Sequence, residues 1–254
     1  MATLLLKKSY LIKDLKEIKF NDLWNYHGVF TTMRVLGRNQ EIIFFKEHID
    51  NLIESLKIYN LNKKNLKQNI LNLIEKSLLN KNYKDHLLRI AVNKRMISIS
   101  LRKRIKTKQN FKLKLLNYKR IDPVHKNLKY RKILFYLKKI DNRKYDIALY
   151  KNNKFLETGT SNLLFVKNNK IYSPKKNFYS GTTFRYFKRR IKISLQDIYL
   201  KNVHNFDEII LIGSGKTVTS VYMIDELKWK RKSLKIYNKL NKIYKKKINY
   251  ERSK

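Results

Sequence analysis

The stretch Glu157-Thr158-Gly159-Thr160-Ser161-Asn162 places an acid, a glycine and small polar residues between two apolar runs, Tyr145 to Tyr150 and Leu163 to Val166. Residues of these types add little to a core. They suit a loop that sets a carboxylate and backbone N–H groups against a ligand. Two further stretches have the chemistry to hold an anion. Gly213-Ser214-Gly215 follows the apolar run Ile209 to Ile212, and Gly181-Thr182-Thr183 opens a helical pattern, where N–H groups and dipole favour negative charge. Ser214-Gly215-Lys216-Thr217 shares the end of a P-loop. That motif needs a glycine at position 210, where this chain has Ile, and a following helix, where it has the extended run Val218 to Val221. An ATP site of that kind is not expected. Two anion cradles in one chain point to one phosphorylated ligand held from two sides.

Other chemistries find little support. There is no cysteine, so disulfides, thiolate metal sites and cysteine nucleophiles are excluded. No two of His27, His48, His86, His125 and His204 stand at metal-ligand spacing, and no metal is expected. No Gly-x-Ser-x-Gly elbow exists for a serine hydrolase. The formal charge is +41, from 60 Lys+Arg against 19 Asp+Glu. Such an excess suits a polyanion partner. Yet the lysines are scattered, and Lys, Asn, Ile, Tyr and Phe are enriched together, as an AT-rich genome would produce, so a specific nucleic-acid partner is not expected. No apolar run approaches the ~18 residues of a membrane span, and Met1 to Lys8 lacks the basic start of a secretory signal. A cytoplasmic protein with a small-molecule substrate is the expectation.

The elements that must position these residues can be read from periodicity. Val29 to Leu36 and Glu41 to Phe45 read as strands joined by a hairpin through Gly37 to Gln40. Phe45 to Ile58 and Leu66 to Leu79 carry apolar residues at helical spacing. His86 to Val92 and Met96 to Leu101 are strands around the Asn93-Lys94 turn. Residues 1–105 thus read as a small ββααββ domain, 106–111 as a Lys/Arg-rich linker, and 112–254 as a larger domain. In the latter, Phe111 to Leu116, 145–150, 162–166, 170–172 and Glu208 to Ile212 read as strands. Asn127 to Ile140, Phe184 to Ile193 and Leu234 to Tyr250 read as helices. Asn152-Asn153 and Asn168-Asn169 are the expected turns. The class is α+β.

Several of these pieces, in order, resemble the fold-type IV pyridoxal-phosphate enzymes, the class IV aminotransferases and their lyase relatives. Tyr26-His27-Gly28-Val29-Phe30-Thr31-Thr32-Met33-Arg34 resembles that family's N-terminal strand, and Glu47-His48-Ile49-Asp50-Asn51-Leu52 its following helix. His125-Lys126-Asn127-Leu128-Lys129-Tyr130 is similar to the segment of the Schiff-base lysine, and Glu157 to Phe165 to the family's Glu-…-Asn-hydrophobic-Phe segment. Tyr172-Ser173-Pro174, Gly181-Thr182-Thr183 and Gly213-Ser214 match later landmarks. The resemblance implies a two-domain D-amino-acid-aminotransferase-like fold with the cofactor between the domains, in a homodimer. It implies Lys126 as the catalytic, cofactor-bearing amine in the large domain, and Glu157 facing the pyridine nitrogen. It implies Tyr130 at the phenolic oxygen, Asn162 beside the cofactor, and Thr182, Thr183 and Ser214 at the phosphate. Thr31 and Arg34 would meet substrate. The family's phosphate-binding arginine falls on Asn51 here, and the arginine of its Gly-Ile-Thr-Arg turn is displaced by one, to Arg185.

Within that family, threonines after Phe30, the His-Lys pair and the four-residue step from Lys126 to Tyr130 resemble the lyases. Transaminases usually carry Glu after the Phe. The expectation is an aminodeoxychorismate lyase, making 4-aminobenzoate, a folate precursor, and pyruvate. The alternatives are a branched-chain or D-amino-acid aminotransferase, and a basic nucleic-acid-binding protein without catalysis.

Overall fold

A computed structural model describes residues 4–37, 41–79 and 85–253. The chain divides into two compact units. One comprises Ala2–Arg104 with His125–Arg131 and the last four residues, the other chiefly Ile105–Val124 with Lys132–Tyr250. They are called the N-terminal and C-terminal units.

In the N-terminal unit the elements are β1 (Leu4–Leu11), β2 (Glu17–Ile18), β3 (Gly28–Leu36), β4 (Glu41–Ile43), α1 (Phe45–Ile58), α2 (Leu66–Leu78), β5 (Asp85–Asn93) and β6 (Met96–Lys103). The strands form one antiparallel sheet in the order β2-β1-β6-β5-β3-β4. Strand alternation sends Val29, Met33 and Val35 of β3 to one face. There they pack with Ile49, Leu52 and Leu56 of α1 and Leu66, Ile70, Leu73 and Ile74 of α2. The helical period read from the sequence is the period of this contact. The opposite face carries Phe30, Thr32 and Arg34.

Three expectations are corrected in this unit. The ββααββ order omits β1, whose Leu6 and Tyr10 alternate into the same core and which pairs along β6. The strand expected to reach Phe45 stops at Ile43, because Phe44 turns left-handed, with φ 58°, and α1 begins at once. The hairpin of β3 and β4 forms, but its turn at 38–40 lies outside the described residues. The last concerns Asn127 to Ile140, read as one helix. Its first residues instead run beside β3: Asn127 bridges Val29, Phe30 N–H donates to the Lys126 carbonyl at 2.9 Å, and Leu128 N–H donates to the Gly28 carbonyl at 2.9 Å. Backbone groups spent this way cannot close helical turns, so the helix α3 is only Arg131–Lys138. The same bonds explain why Lys126 groups with the N-terminal unit, whereas the sequence reading set it in 112–254. Gly28 allows the approach: a Cβ there would overlap the Val92 carbonyl oxygen and come within 2.7 Å of Leu128 Cδ1.

The C-terminal unit holds β7 (Lys112–Asn117), most of α3, β8 (Tyr145–Lys151), β9 (Lys154–Thr158), β10 (Asn162–Lys167), β11 (Lys170–Pro174), α4 (Thr182–Lys188), β12 (Ile193–Gln196), β13 (Glu208–Gly213), β14 (Thr217–Ser220), β15 (Met223–Ile224), β16 (Trp229–Lys230) and nearly all of α5 (Lys235–Arg252). Two five-stranded sheets form, β12-β11-β10-β13-β14 and β16-β15-β7-β8-β9. Their apolar residues meet in one core: Leu113, Ala148, Phe155 and Trp229 from one sheet, Leu163, Phe165, Ile209 and Leu211 from the other, with Phe111 just before β7. The Asn152-Asn153 and Asn168-Asn169 pairs take positive φ at both positions, as tight hairpin turns require. The first pair leads into β9, a strand absent from the sequence reading, so Glu157 sits on a strand and the loop shrinks to Gly159 through Ser161. The helix expected over Phe184 to Ile193 ends at Lys188, and Ile193 opens β12, parallel to β11. Among the described residues no helix is long and apolar enough to cross a membrane.

Candidate functional site

In the C-terminal unit the polar residues singled out by sequence collect around the end of β9. Glu157 is buried, paired across the ladder with Leu149. Its carboxylate is gripped by the buried Arg120: Nε donates to Oε1 at 2.6 Å and Nη2 to Oε2 at 3.2 Å. Arg120 Nη2 also donates to the Pro123 carbonyl at 2.6 Å, and Tyr179 N–H to Glu157 Oε2 at 3.3 Å. A fork-to-fork pair of this kind fixes the orientation of the carboxylate as well as neutralising it.

The loop after Glu157 is pinned from beneath. Asp146, fully buried, accepts from Thr158 Oγ1 at 3.0 Å and from Thr160 Oγ1 at 2.5 Å, while Ser161 N–H donates to Thr158 Oγ1 at 2.8 Å. Gly159 has no room for more: a Cβ would stand 2.8 Å from Ile147 Cγ1. Asn162, next along the chain, donates through Nδ2 to the Tyr179 carbonyl at 2.6 Å and accepts from Gly181 N–H at 3.3 Å. That ties the start of α4 to β10. Thr182 and Thr183 are buried there. Asn162 also pairs with Ile212, two residues before Ser214 in the β13–β14 turn. Glu157, Asn162, Thr182, Thr183 and Ser214 therefore come from neighbouring element ends in one unit. Two atoms at the start of α4, Thr183 Oγ1 and Arg185 Nη2, are buried with no hydrogen-bond partner. Buried polar atoms normally have one.

In the N-terminal unit, Lys126 Nζ lies 5.1 Å from the centroid of the Phe30 ring. Tyr130 meets the same ring edge-on at 5.6 Å and stacks on Trp24 at 5.8 Å. Thr31 and Arg34 are committed within the fold. Strand alternation turns Thr31 toward α1, where its Oγ1 lies 2.9 Å from His48 Nδ1, and it is Thr32 that shares a face with Phe30. Arg34 donates through Nε and Nη2 to the Asp85 carboxylate at 2.9 and 3.1 Å, and Arg104 holds the same carboxylate. Burial pushes the Asp85 carboxyl up, but the two guanidiniums outweigh it and hold the group below its ordinary value.

Sequence reasoning missed Arg120 and Asp146. Arg120 carried no signal in a chain with 60 Lys+Arg. Asp146 could have been noticed as the one acid inside an apolar strand. Among the described residues, no cluster of three His, Asp or Glu side chains could hold a metal ion.

Comparison with known proteins matches residues 28–224 to the profile of the amino-transferase class IV family. Among solved structures, the branched-chain aminotransferase of Thermoproteus uzoniensis, crystallised with norvaline, superposes with a TM-score of 0.76 at 17% identity, covering 94% of this chain and 93% of its own. A hypothetical aminotransferase from Mycobacterium tuberculosis in a PLP-bound form gives 0.71 at 12%, covering 94% and 98%. A Legionella pneumophila protein described as a candidate 4-amino-4-deoxychorismate lyase gives 0.70 at 16%, covering 87% and 91%. No curated protein matches the sequence significantly. These structures share the α+β fold described above. Because the family match spans well over half of the chain, the protein belongs to the class IV aminotransferase family of pyridoxal-phosphate enzymes.

Proposed function

We propose that the chain is a pyridoxal-phosphate lyase that converts 4-amino-4-deoxychorismate to 4-aminobenzoate and pyruvate. The observation that carries the cofactor fit is the pair of unpartnered buried atoms at the start of α4, Thr183 Oγ1 and Arg185 Nη2. A hydroxyl and a guanidinium nitrogen left without partners suit phosphate oxygens. Thr182 and Ser214 would add donors, and Arg185 would supply the positive charge that Asn51 lacks. Asn162 would hold Gly181, and so the first turn of α4, in place. Glu157, oriented by Arg120, would accept from a protonated pyridine nitrogen. Tyr130 would donate its hydroxyl to the ring's phenolic oxygen.

When bound, pyridoxal phosphate supplies an electron sink for bonds at carbons conjugated with the substrate's amine. Lys126 Nζ would take the proton from the ring carbon that bears that amine and return one as pyruvate departs. A lysine amine held beside an apolar ring suits both roles. The atoms of substrate equal those of the two products, so no amino acceptor is needed. The choice of lyase over transaminase rests on Thr31-Thr32 after Phe30.

The test uses purified protein with added cofactor. A visible absorbance band that borohydride removes, present in the wild type and absent in Lys126→Ala, supports the cofactor assignment. Equimolar 4-aminobenzoate and pyruvate without any 2-oxo acid supports the lyase. Amino transfer to 2-oxoglutarate, with no aromatic product, makes it an aminotransferase instead.

A further inference from the structure

The turn between β13 and β14 is open at its tip and anchored at its base. Gly213, Ser214 and Gly215 are half-buried, whereas Lys216, the lysine of the stretch that shares the end of a P-loop, is buried. Its side chain does not reach out to an anion as a P-loop lysine does. Nζ donates to the Asn142 carbonyl at 2.7 Å and stands 4.5 Å from the centroid of the fully buried Phe111 ring. Asn142 in turn donates through Nδ2 to the Leu137 carbonyl at 3.0 Å. The ammonium therefore sits by the C-terminal end of α3, where the helix dipole and the last carbonyls favour a cation.

The backbone of the same turn is strained. Thr217, which pairs with Gly213 across it, has a φ of 59°. A β-branched residue is seldom found in that left-handed region, which glycine usually fills. Such a conformation persists where surrounding contacts over-determine it, and it concentrates at ligand clamps. Lys216 supplies contacts of that kind. Its carbonyl accepts from Thr217 Oγ1 at 2.6 Å and from Thr219 Oγ1 at 2.7 Å, while its ammonium is tied to Asn142. On its other side the turn packs on the loop that follows Glu157. A Cβ at Gly213 would stand 3.3 Å from Ser161 Oγ and 3.5 Å from the Thr160 carbonyl oxygen. Ser214 is thus set between a fixed base and a close-packed neighbour.

We propose that Lys216 is a positioning residue for phosphate binding: its buried ammonium, held by the Asn142 carbonyl, keeps the strained turn in the one conformation that presents Ser214 and the turn's N–H groups to the cofactor's phosphate. It acts through the turn and does not touch the phosphate. This rests on the reading of Ser214 as a phosphate donor, and not on the choice between lyase and aminotransferase.

The experiment titrates the full-length protein, freed of cofactor, with pyridoxal phosphate and with pyridoxal, which lacks only the phosphate, and reads affinity by fluorescence quenching. The wild type should bind pyridoxal phosphate more tightly than pyridoxal. Lys216→Met should weaken pyridoxal phosphate about tenfold and leave pyridoxal unchanged, a loss of the size of one hydrogen bond to a charged group. Lys216→Gln, polar but shorter, should behave in the same way. Adding Thr217→Gly to Lys216→Met should recover most of the lost affinity, because glycine holds a left-handed φ without an anchor. An intact preference for pyridoxal phosphate in both Lys216 variants overturns the proposal. So does an equal loss of both ligands, which marks general damage to the fold. Failure of Thr217→Gly to recover affinity assigns the loss to the missing charge rather than to the turn, and overturns it too. A wild type that binds the two ligands equally refutes the phosphate cradle itself and this proposal with it, a failure seen before any variant is made.

Discussion

Arg120 Nε lies 2.6 Å from Glu157 Oε1, and both side chains are buried. A buried ion pair is asymmetric in its effects. Losing one partner leaves a naked charge, whereas replacing both with apolar groups can be nearly neutral. Arg120→Met should therefore destabilise the protein by about 3–5 kcal/mol. The double variant Arg120→Met/Glu157→Leu should recover most of that loss in urea unfolding, yet fail to develop the visible cofactor band. Full recovery of the band in the double variant would mean that Glu157 does not serve the pyridine nitrogen.

The Asp85 carboxylate sets a second expectation. Its folded-state proton affinity is lowered by Arg34 and Arg104 despite burial. A lowered carboxyl stabilises the fold fully above its unfolded value, about 4, and that stability is lost as pH falls through the lower folded value. Asp85→Asn should melt well below the wild type at pH 7. The gap should stay constant down to about pH 4 and close below it. Melting temperatures of both proteins across that range decide the matter; a gap that closes above pH 5 would assign the stability to other groups.

What sequence could and could not disclose follows from where each signal resides. Both ends of α1 were legible because Ile49, Leu52 and Leu56 report one helical face packed on one sheet. Strand β9 was missed because Glu157 and Thr158, polar and buried, break the apolar pattern that marks an inner strand. The helix from Asn127 was overextended because Leu128 sits at the right spacing but fills a pocket with Leu23, Phe30 and Ala91. The Lys126 and Glu157 stretches stood out by resemblance. Arg120 did not, because its partner Glu157 lies on another segment and a lysine-rich composition hides any single cation.

Asp146 tests how far the floor of the loop matters. One carboxylate oxygen accepts from both Thr158 and Thr160. Asp146→Asn keeps size but can turn an NH2 group toward those hydroxyls, losing at least one hydrogen bond to a charged acceptor, worth about 1.5–3 kcal/mol. The loop would loosen at both ends, at Glu157 and at Asn162. The expected result is a lower melting temperature together with a cofactor affinity reduced by about tenfold or more, read by fluorescence quenching on titration. A change in stability alone, with cofactor affinity intact, would confine Asp146 to the fold.

Thr183 gives the sharpest separation of stability from binding. Its Oγ1 is buried and unpartnered, so the hydroxyl has lost its hydration and gained nothing in return. Valine has nearly the same shape without that oxygen. In the cofactor-free protein Thr183→Val should be as stable as the wild type or more stable, by up to about 1 kcal/mol. With the cofactor present the order should reverse. The wild type gains a hydrogen bond to a charged phosphate, about 1.5–3 kcal/mol, which is roughly ten- to a hundredfold in affinity. Paired melting curves with and without pyridoxal phosphate measure both halves. If valine is destabilising in the free protein and leaves the cofactor-induced shift unchanged, the hydroxyl belongs to the fold and the start of α4 does not hold the phosphate.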